Sequence, residues 1–176
     1  IVTKWDGSAD MKSRGAALAI FTGQATMGGQ MHDAYDREKA LANLRTTAEQ
    51  LKAATGRIDP EWGEVSRVAR GEQSWPTDGG PDTLRAVYAA GDLTKDKFRK
   101  GRAGDTYIVI ADWAPDGTYT LDTIHQYGSA TIDASSPHYA DQAPLFAAEQ
   151  FKRPPMTLEG VLAEATRDYR PGKAAQ

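Results

Sequence analysis

The sequence predicts a mixed helix-and-strand (α+β) chain that is incomplete on its own. Three observations lead there: an amphipathic helical repeat between Asp36 and Thr55, a β-hairpin between Thr106 and Gln126 whose first strand is apolar on both faces, and long loop-like stretches between Ile58 and Lys100. The chain has 176 residues, 40% of them apolar, which is enough for the core of one ordinary domain. Its 21 basic and 24 acidic side chains leave a formal charge of −3, so the basic surplus that phosphate neutralisation requires is missing and no nucleic-acid partner is expected. No apolar run is long enough for a membrane span. Cysteine is absent, which removes disulfides, thiolate nucleophiles and Cys-ligated metals. The first residue is Ile1, and the start shows neither the charged nor the apolar region of a signal peptide; the expectation is a piece of something longer.

In chain order, Trp5-Asp6-Gly7 predicts a turn, and Arg14 to Thr22 a helix that gives way to an irregular Gly-rich segment from Gly23 to Gln30. Leu41, Leu44, Ala48 and Leu51 form one stripe of the next helix, Gly56 ends it, and Arg37, Glu38, Lys39, Arg45, Glu49 and Lys52 make its solvated face. Asp59-Pro60 opens a short helical turn, and Trp75-Pro76 and Gly79-Gly80-Pro81 punctuate irregular chain. The hairpin comprises Thr106 to Trp113 and Thr118 to Gln126, joined by Ala114-Pro115-Asp116-Gly117. Tyr107, Val109, Ala111 and Trp113 share one face, and Ile108 and Ile110 the other, so the strand is expected to be buried on both sides. It needs further strands, and no other convincing strand is legible. Ser136-Pro137 reads as a helix start, with helix running to Phe151 and a restart at Pro144; Thr157 caps a last helix from Leu158 to Tyr169 that carries Val161, Leu162 and Ala165 on one side. The whole of 1–176 reads as one unit without internal domains.

Candidate chemistry is sparse. His32, Asp33 and Asp36 have the residue types of a metal site, but the aspartates more simply cap the following helix. His125 in the second strand is expected to be a hydrogen-bonded structural residue, and the ring of His138 to anchor the helix start to a neighbouring loop. Ser129, Ser135 and Ser136 with His125, His138, Asp133 and Asp141 make a Ser/His/Asp set only on paper, since no G-x-S-x-G elbow is present. Gly28-Gly29 and Gly79-Gly80 lack the Lys-Ser/Thr pair of a phosphate-binding loop.

Two stretches carry a resemblance. They are Trp5-Asp6-Gly7 with Asp10 and Ser13-Arg14-Gly15-Ala16, and, more specifically, Gly104-Asp105-Thr106-Tyr107 followed by His125-Gln126-Tyr127-Gly128-Ser129 and Ser136-Pro137-His138-Tyr139-Ala140-Asp141-Gln142. Gly79-Gly80 before Leu84-Arg85-Ala86 supports the middle. Together these resemble the C-terminal part of the β-subunit in the penicillin/cephalosporin acylase family, which includes acyl-homoserine-lactone acylases. The resemblance implies the four-layer αββα sandwich of N-terminal-nucleophile hydrolases, of which this chain would be a part. It implies a self-cleaving precursor whose new N-terminal Ser attacks a linear amide of a small-molecule substrate. Ile1 has no nucleophilic atom, so no catalytic, cofactor-binding or metal-ligating residue carries over to this chain. The expected partners are the α-chain and the N-terminal part of the β-chain. A periplasmic or secreted location goes with the family, no cofactor is expected, and a calcium ion elsewhere in the assembly is compatible with it. The alternative is a stand-alone, non-catalytic binding domain, distinguished by a self-sufficient core.

Overall fold

The structure, a computed structural model, describes residues 1–27 and 36–166. After a single helical turn at Val2–Lys4, Gly15 lies against Trp5 so closely that a Cβ there would fall 2.7 Å from the tryptophan side chain. The indole in turn donates to the Ser8 carbonyl at 2.7 Å and to Ser13 Oγ at 3.2 Å. This knot launches helix α1 (Ala16–Met27), which runs through Gly23 instead of ending at Thr22 as the sequence predicts. An isolated glycine costs a helix only about 1 kcal/mol, and packing of α1 against α2 outweighs it.

Helix α2 (Arg37–Thr55) falls where the periodicity places it, capped by Asp36 Oδ1 accepting from the Lys39 amide at 3.0 Å and closed by Gly56 in the left-handed conformation. Its buried face is rotated from the expected one: Ala40, Thr47 and Leu51 are buried with Leu44 and Ala48 beside them, while Leu41 is 52% exposed. Leu41 lies one residue, about 100° of helix, beyond the stripe that α1 covers. His32 and Asp33 lie outside the described residues.

The stretch read as irregular holds most of the sheet. Helix α3 (Trp62–Val65) starts after Pro60, with the Glu64 carboxylate accepting from the Glu61 amide at 3.0 Å. It runs into β1 (Ser66–Arg70), which pairs antiparallel with β2 (Gln73–Pro76) and parallel with β4 (Arg99–Gly104); β4 pairs antiparallel with β3 (Val87–Ala90). The order is β2-β1-β4-β3. The expectation of no further strands is therefore wrong. Ser-Arg-Val-Ala-Arg and Arg-Lys-Gly-Arg-Ala-Gly are short, charged and poor in β-formers, so pairing and burial of Ser66, Val68 and Gly101, not propensity, make them strands.

The hairpin is as predicted, β5 (Tyr107–Trp113) with β6 (Tyr119–His125), turned at Ala114–Gly117 with Asp116 Oδ1 accepting from the Thr118 amide at 2.9 Å. It forms its own two-stranded sheet, separate from the other four strands. Its first strand is not buried on both faces: Ile108 is half-buried, while Tyr107, Val109, Ile110 and Trp113 are exposed, because the described residues supply no layer over them.

Helix α4 is only Ala143–Ala147, with Pro144 in its first turn, so the helix expected from Ser136 begins seven residues later. Residues 136–142 are turns; Pro144 fits only a first helical turn, which fixes the start. Helix α5 (Leu158–Glu164) is capped by Thr157 as expected and shorter than predicted; Val161 and Leu162 are exposed, and residues 167–169 lie outside the described residues. Among the described residues no helix is long and apolar enough to cross a membrane.

Two apolar clusters hold these parts. One joins α1, α2 and α3 to Ala89 and Leu93 around Phe21, Leu51 and Trp62; the other joins Val68 and Trp75 to Ile108 and Ile124 of the hairpin and to Ala143 and Phe146 of α4. The rotated face of α2 sets a contrast that urea unfolding of the purified protein will read. Leu51→Ala should cost about 2–5 kcal/mol, and Leu41→Ala no more than about 0.5 kcal/mol; equal effects would place the buried face wrongly.

Candidate functional site

The residues singled out in the sequence converge on the loop from Gln126 to Gln142. Its first residue prolongs the hairpin, the Gln126 amide donating to the Thr106 carbonyl at 2.9 Å. Two residues on, Gly128 is pressed under the returning chain: a Cβ there would sit 1.9 Å from the His138 carbonyl oxygen and 2.5 Å from Asp141 Oδ1. The same His138 carbonyl accepts from the Ala130 amide at 3.1 Å, so only glycine lets the two arms of the loop close.

His138 and Asp141 face each other, Nδ1 and Oδ2 2.9 Å apart, at the rim of the loop, and Ser136 Oγ accepts from the His138 backbone amide at 3.2 Å. The ring, expected to anchor a helix start to a neighbouring loop, is tied instead to Asp141 within its own turn, and the helix begins only at Ala143. Burial alone would push the Asp141 carboxyl upward, but hydrogen bonds from His138 and Gln142 outweigh it and hold the group below its ordinary value. Asp133 is likewise held low by the Ser135 hydroxyl and amide, at 2.6 and 3.0 Å.

Arg70 at the end of β1, which the sequence gives no reason to select, organises this loop. Its Nε donates to the Tyr139 carbonyl at 3.1 Å and its Nη2 to the carbonyls of Ala130 and Thr131 at 3.3 and 2.8 Å. The guanidinium lies 3.9 Å from the centroid of the Tyr139 ring and 5.2 Å from that of Tyr127. Its partners are some sixty residues away in sequence, beyond the reach of any local pattern. Between this loop and β2 is a cleft of about 290 Å³, lined by Gln73, Trp75, Ser136, Tyr139, Asp141 and Pro144.

The other quoted motifs also act as fasteners. Asp105 takes the Ala86 amide on Oδ2 and gives its own amide to the Ala86 carbonyl, both at 2.8 Å, tying the β4–β5 corner to the start of β3. His125 departs from expectation: its exposed ring stacks on Tyr107 with centroids 4.5 Å apart and makes no hydrogen bond among the described residues. Its position in the register, directly opposite Tyr107, puts an aromatic ring across the hairpin from it.

Chemically, the site holds an imidazole fixed on a carboxylate but no nucleophile bound to it. Among the described residues no serine hydroxyl is hydrogen-bonded to an imidazole, and no group of three His, Asp or Glu side chains could hold a metal ion. The geometry fixes a loop. Because the Asp141 pKa is depressed in the folded protein, its contribution to stability is present above the ordinary value of 3.8 and is lost as pH falls through the lowered one. Asp141→Asn should therefore destabilise the protein at neutral pH, by about 1 kcal/mol for the lost hydrogen bond, and the difference from wild type should fade in strong acid. Thermal unfolding across pH will show it; a pH-independent difference would contradict this account.

The acyl-homoserine lactone acylase PvdQ of Pseudomonas fluorescens is 30% identical to this chain over 129 residues, which is 73% of the chain. The chain spans only 16% of the length of that relative. The sequence pattern of the Penicillin amidase family matches residues 1–163, and with it the chain belongs to the penicillin amidase family.

Proposed function

We propose that this chain is the C-terminal segment of the β-chain of an acylase that hydrolyses the linear amide of a β-lactam, an acyl-homoserine lactone or a similar small molecule. The nucleophile in this reading is an N-terminal Ser on another segment: its hydroxyl attacks the amide carbon, donors stabilise the oxyanion, the amine leaves, and water releases the acid. No residue of the 176 takes a chemical part. The segment's work is to complete a four-layer αββα sandwich, with the α-chain and the N-terminal part of the β-chain as partners, in the periplasm or outside the cell; a calcium ion, where the assembly has one, binds elsewhere.

The observation that carries the segment reading is the open edge of β5. The Gln126 amide reaches the Thr106 carbonyl, and the Thr123 amide and carbonyl turn away from the hairpin to Lys152. With the register Val109↔Thr123, this alternation points the backbone groups of Tyr107, Val109, Ala111 and Trp113 away from β6. An edge of seven residues flanked by exposed Tyr107, Val109, Ile110 and Trp113 is suited to receive another strand and a covering layer. The amide-hydrolase class is supported by the family and by the name of the relative.

One observation favours the stand-alone binding domain instead: the four-stranded sheet and two clusters give the chain more core of its own than its sequence predicts. Expression of residues 1–176 alone, beside the complete protein, separates the two. The isolated chain should associate or fold only partly and have no activity on a chromogenic acyl amide, while the complete protein turns it over. A monomeric isolated chain that melts cooperatively supports the binding domain, and turnover by that chain refutes the segment reading.

A further inference from the structure

The loop Thr77–Ala86, between β2 and β3, contains a buried arginine shared by two carboxylates. Arg85 is 8% exposed; its Nη1 lies 2.7 Å from Asp78 Oδ1 and 2.7 Å from Glu149 Oε1. Its Nη2 donates to Thr77 Oγ1 at 2.8 Å and to the Ala147 carbonyl at 3.3 Å, and its guanidinium covers the Phe146 ring at 4.7 Å. Arg85 and Glu149 both adopt left-handed backbone, φ 65° and 54°, which residues with a side chain take up only when their surroundings impose it. Two separate segments, the Thr77–Ala86 loop and the chain just beyond α4, are therefore each bent where they bring these groups together.

We propose that Asp78, Arg85 and Glu149 form a proton-operated latch that holds the Thr77–Ala86 loop on the C-terminal end of α4, tight when the carboxylate pair carries a proton and looser when both are ionised. One guanidinium cannot neutralise two carboxylates, so the ionised cluster keeps a net negative charge, and its Asp78 member carries that charge with a side chain only 20% exposed, beside the more open Glu149. The charged groups acting on Asp78 are Arg85 in its own loop and Glu149 beyond α4. Burial raises the Asp78 carboxyl above its ordinary value and the charge of Glu149 adds to this, while Arg85 pulls the other way and is outweighed. For an acid raised in the folded state, the stabilisation is complete below the ordinary value of 3.8 and is lost as pH rises through the raised one. The loop has a second job that the latch would govern: Gly79 offers its carbonyl to the Trp62 indole at 2.7 Å and its amide to the Ala9 carbonyl at 3.0 Å. Loosening would thus reach the first apolar cluster. The latch involves no step of amide hydrolysis and is independent of that reading.

Hydrogen exchange read by mass spectrometry tests this on the protein as purified, with any polypeptide that accompanies it. After correction for intrinsic rates, peptides spanning 77–87 and 143–150 should exchange about threefold to tenfold more slowly at about pH 4.5 than at about pH 7.5. A hairpin peptide spanning 106–126 should show no such difference. Asp78→Asn, which mimics the protonated pair, should abolish the dependence and keep the slow rate. Should that variant fail to fold, Glu149→Gln at the half-exposed member decides, and should shrink the dependence. Wild-type exchange indifferent to pH, or a full dependence retained in either folded variant, would overturn the latch.

Discussion

The fold depends first on where the Trp62 side chain is held. The ring is fully buried against Phe21, with ring centroids 5.2 Å apart, and its one polar atom is satisfied by the Gly79 carbonyl. The backbone around it is tied as tightly: the amides of Trp62 and Gly63 donate to the carbonyls of Ser13 and Met11, each at 2.9 Å. One residue thus joins the N-terminal segment, α1, the entry into β1 and the β2–β3 loop. Four segments far apart in sequence meet there, and each would otherwise be loop over a half-finished core. The indole suits the position because it combines large apolar area with a single donor that must find an acceptor once buried.

The second half of the chain is assembled by a different device. Where the first cluster uses apolar side chains, the loop Gln126–Gln142 and α4 are also held by arginines, Arg70 from the end of β1 to three carbonyls and two tyrosine rings, Arg85 from the β2–β3 loop to two carboxylates, a carbonyl and Phe146. A planar guanidinium with five donors satisfies several carbonyls of an irregular loop that has no ladder partner of its own. Burying such a charge is costly unless its donors are occupied, which couples the shape of each loop to the placement of one side chain.

Elements with strong local signals were legible in the sequence, and those made by distant partners were not. The Asp36 cap, the length of α2, the Thr157 cap and the whole hairpin with its Pro-Asp-Gly turn rest on interactions within a few residues. The sheet is different: β1 and β4 are parallel neighbours thirty residues apart, built from arginines, lysine and glycine, and only the fold makes them strands. The buried face of α2 differs by one residue from the periodic stripe because the docking of α1, which the periodicity of α2 alone does not encode, selects it. At the candidate site the sequence singles out His138 as an anchor without naming Asp141 as its partner, and it gives no sign of Arg70, whose partners lie 60 to 69 residues away. His125 was misjudged because a strand position does not reveal that its neighbour across the hairpin is an aromatic ring.

The residues that carry the family resemblance turn out, one after another, to solve problems of close approach and loop closure. Gly15 admits Trp5, Gly128 admits the His138 carbonyl, Asp105 clamps Ala86, and His138 is tethered to Asp141. None of these contacts prepares a nucleophile or an oxyanion site. A motif of this kind identifies a scaffold because its geometry tolerates few substitutes, and it says nothing directly about chemistry. The hairpin then gives the scaffold its meaning. Ile108 and Ile124 are gripped by α4 and β1, while among the described residues the opposite face and the outer edge of β5 remain open, so the second cluster fixes the orientation of an exposed surface. Support behind one face of the hairpin, with the other face and the outer edge of β5 open among the described residues, is a geometry that accepts an added strand in one register only.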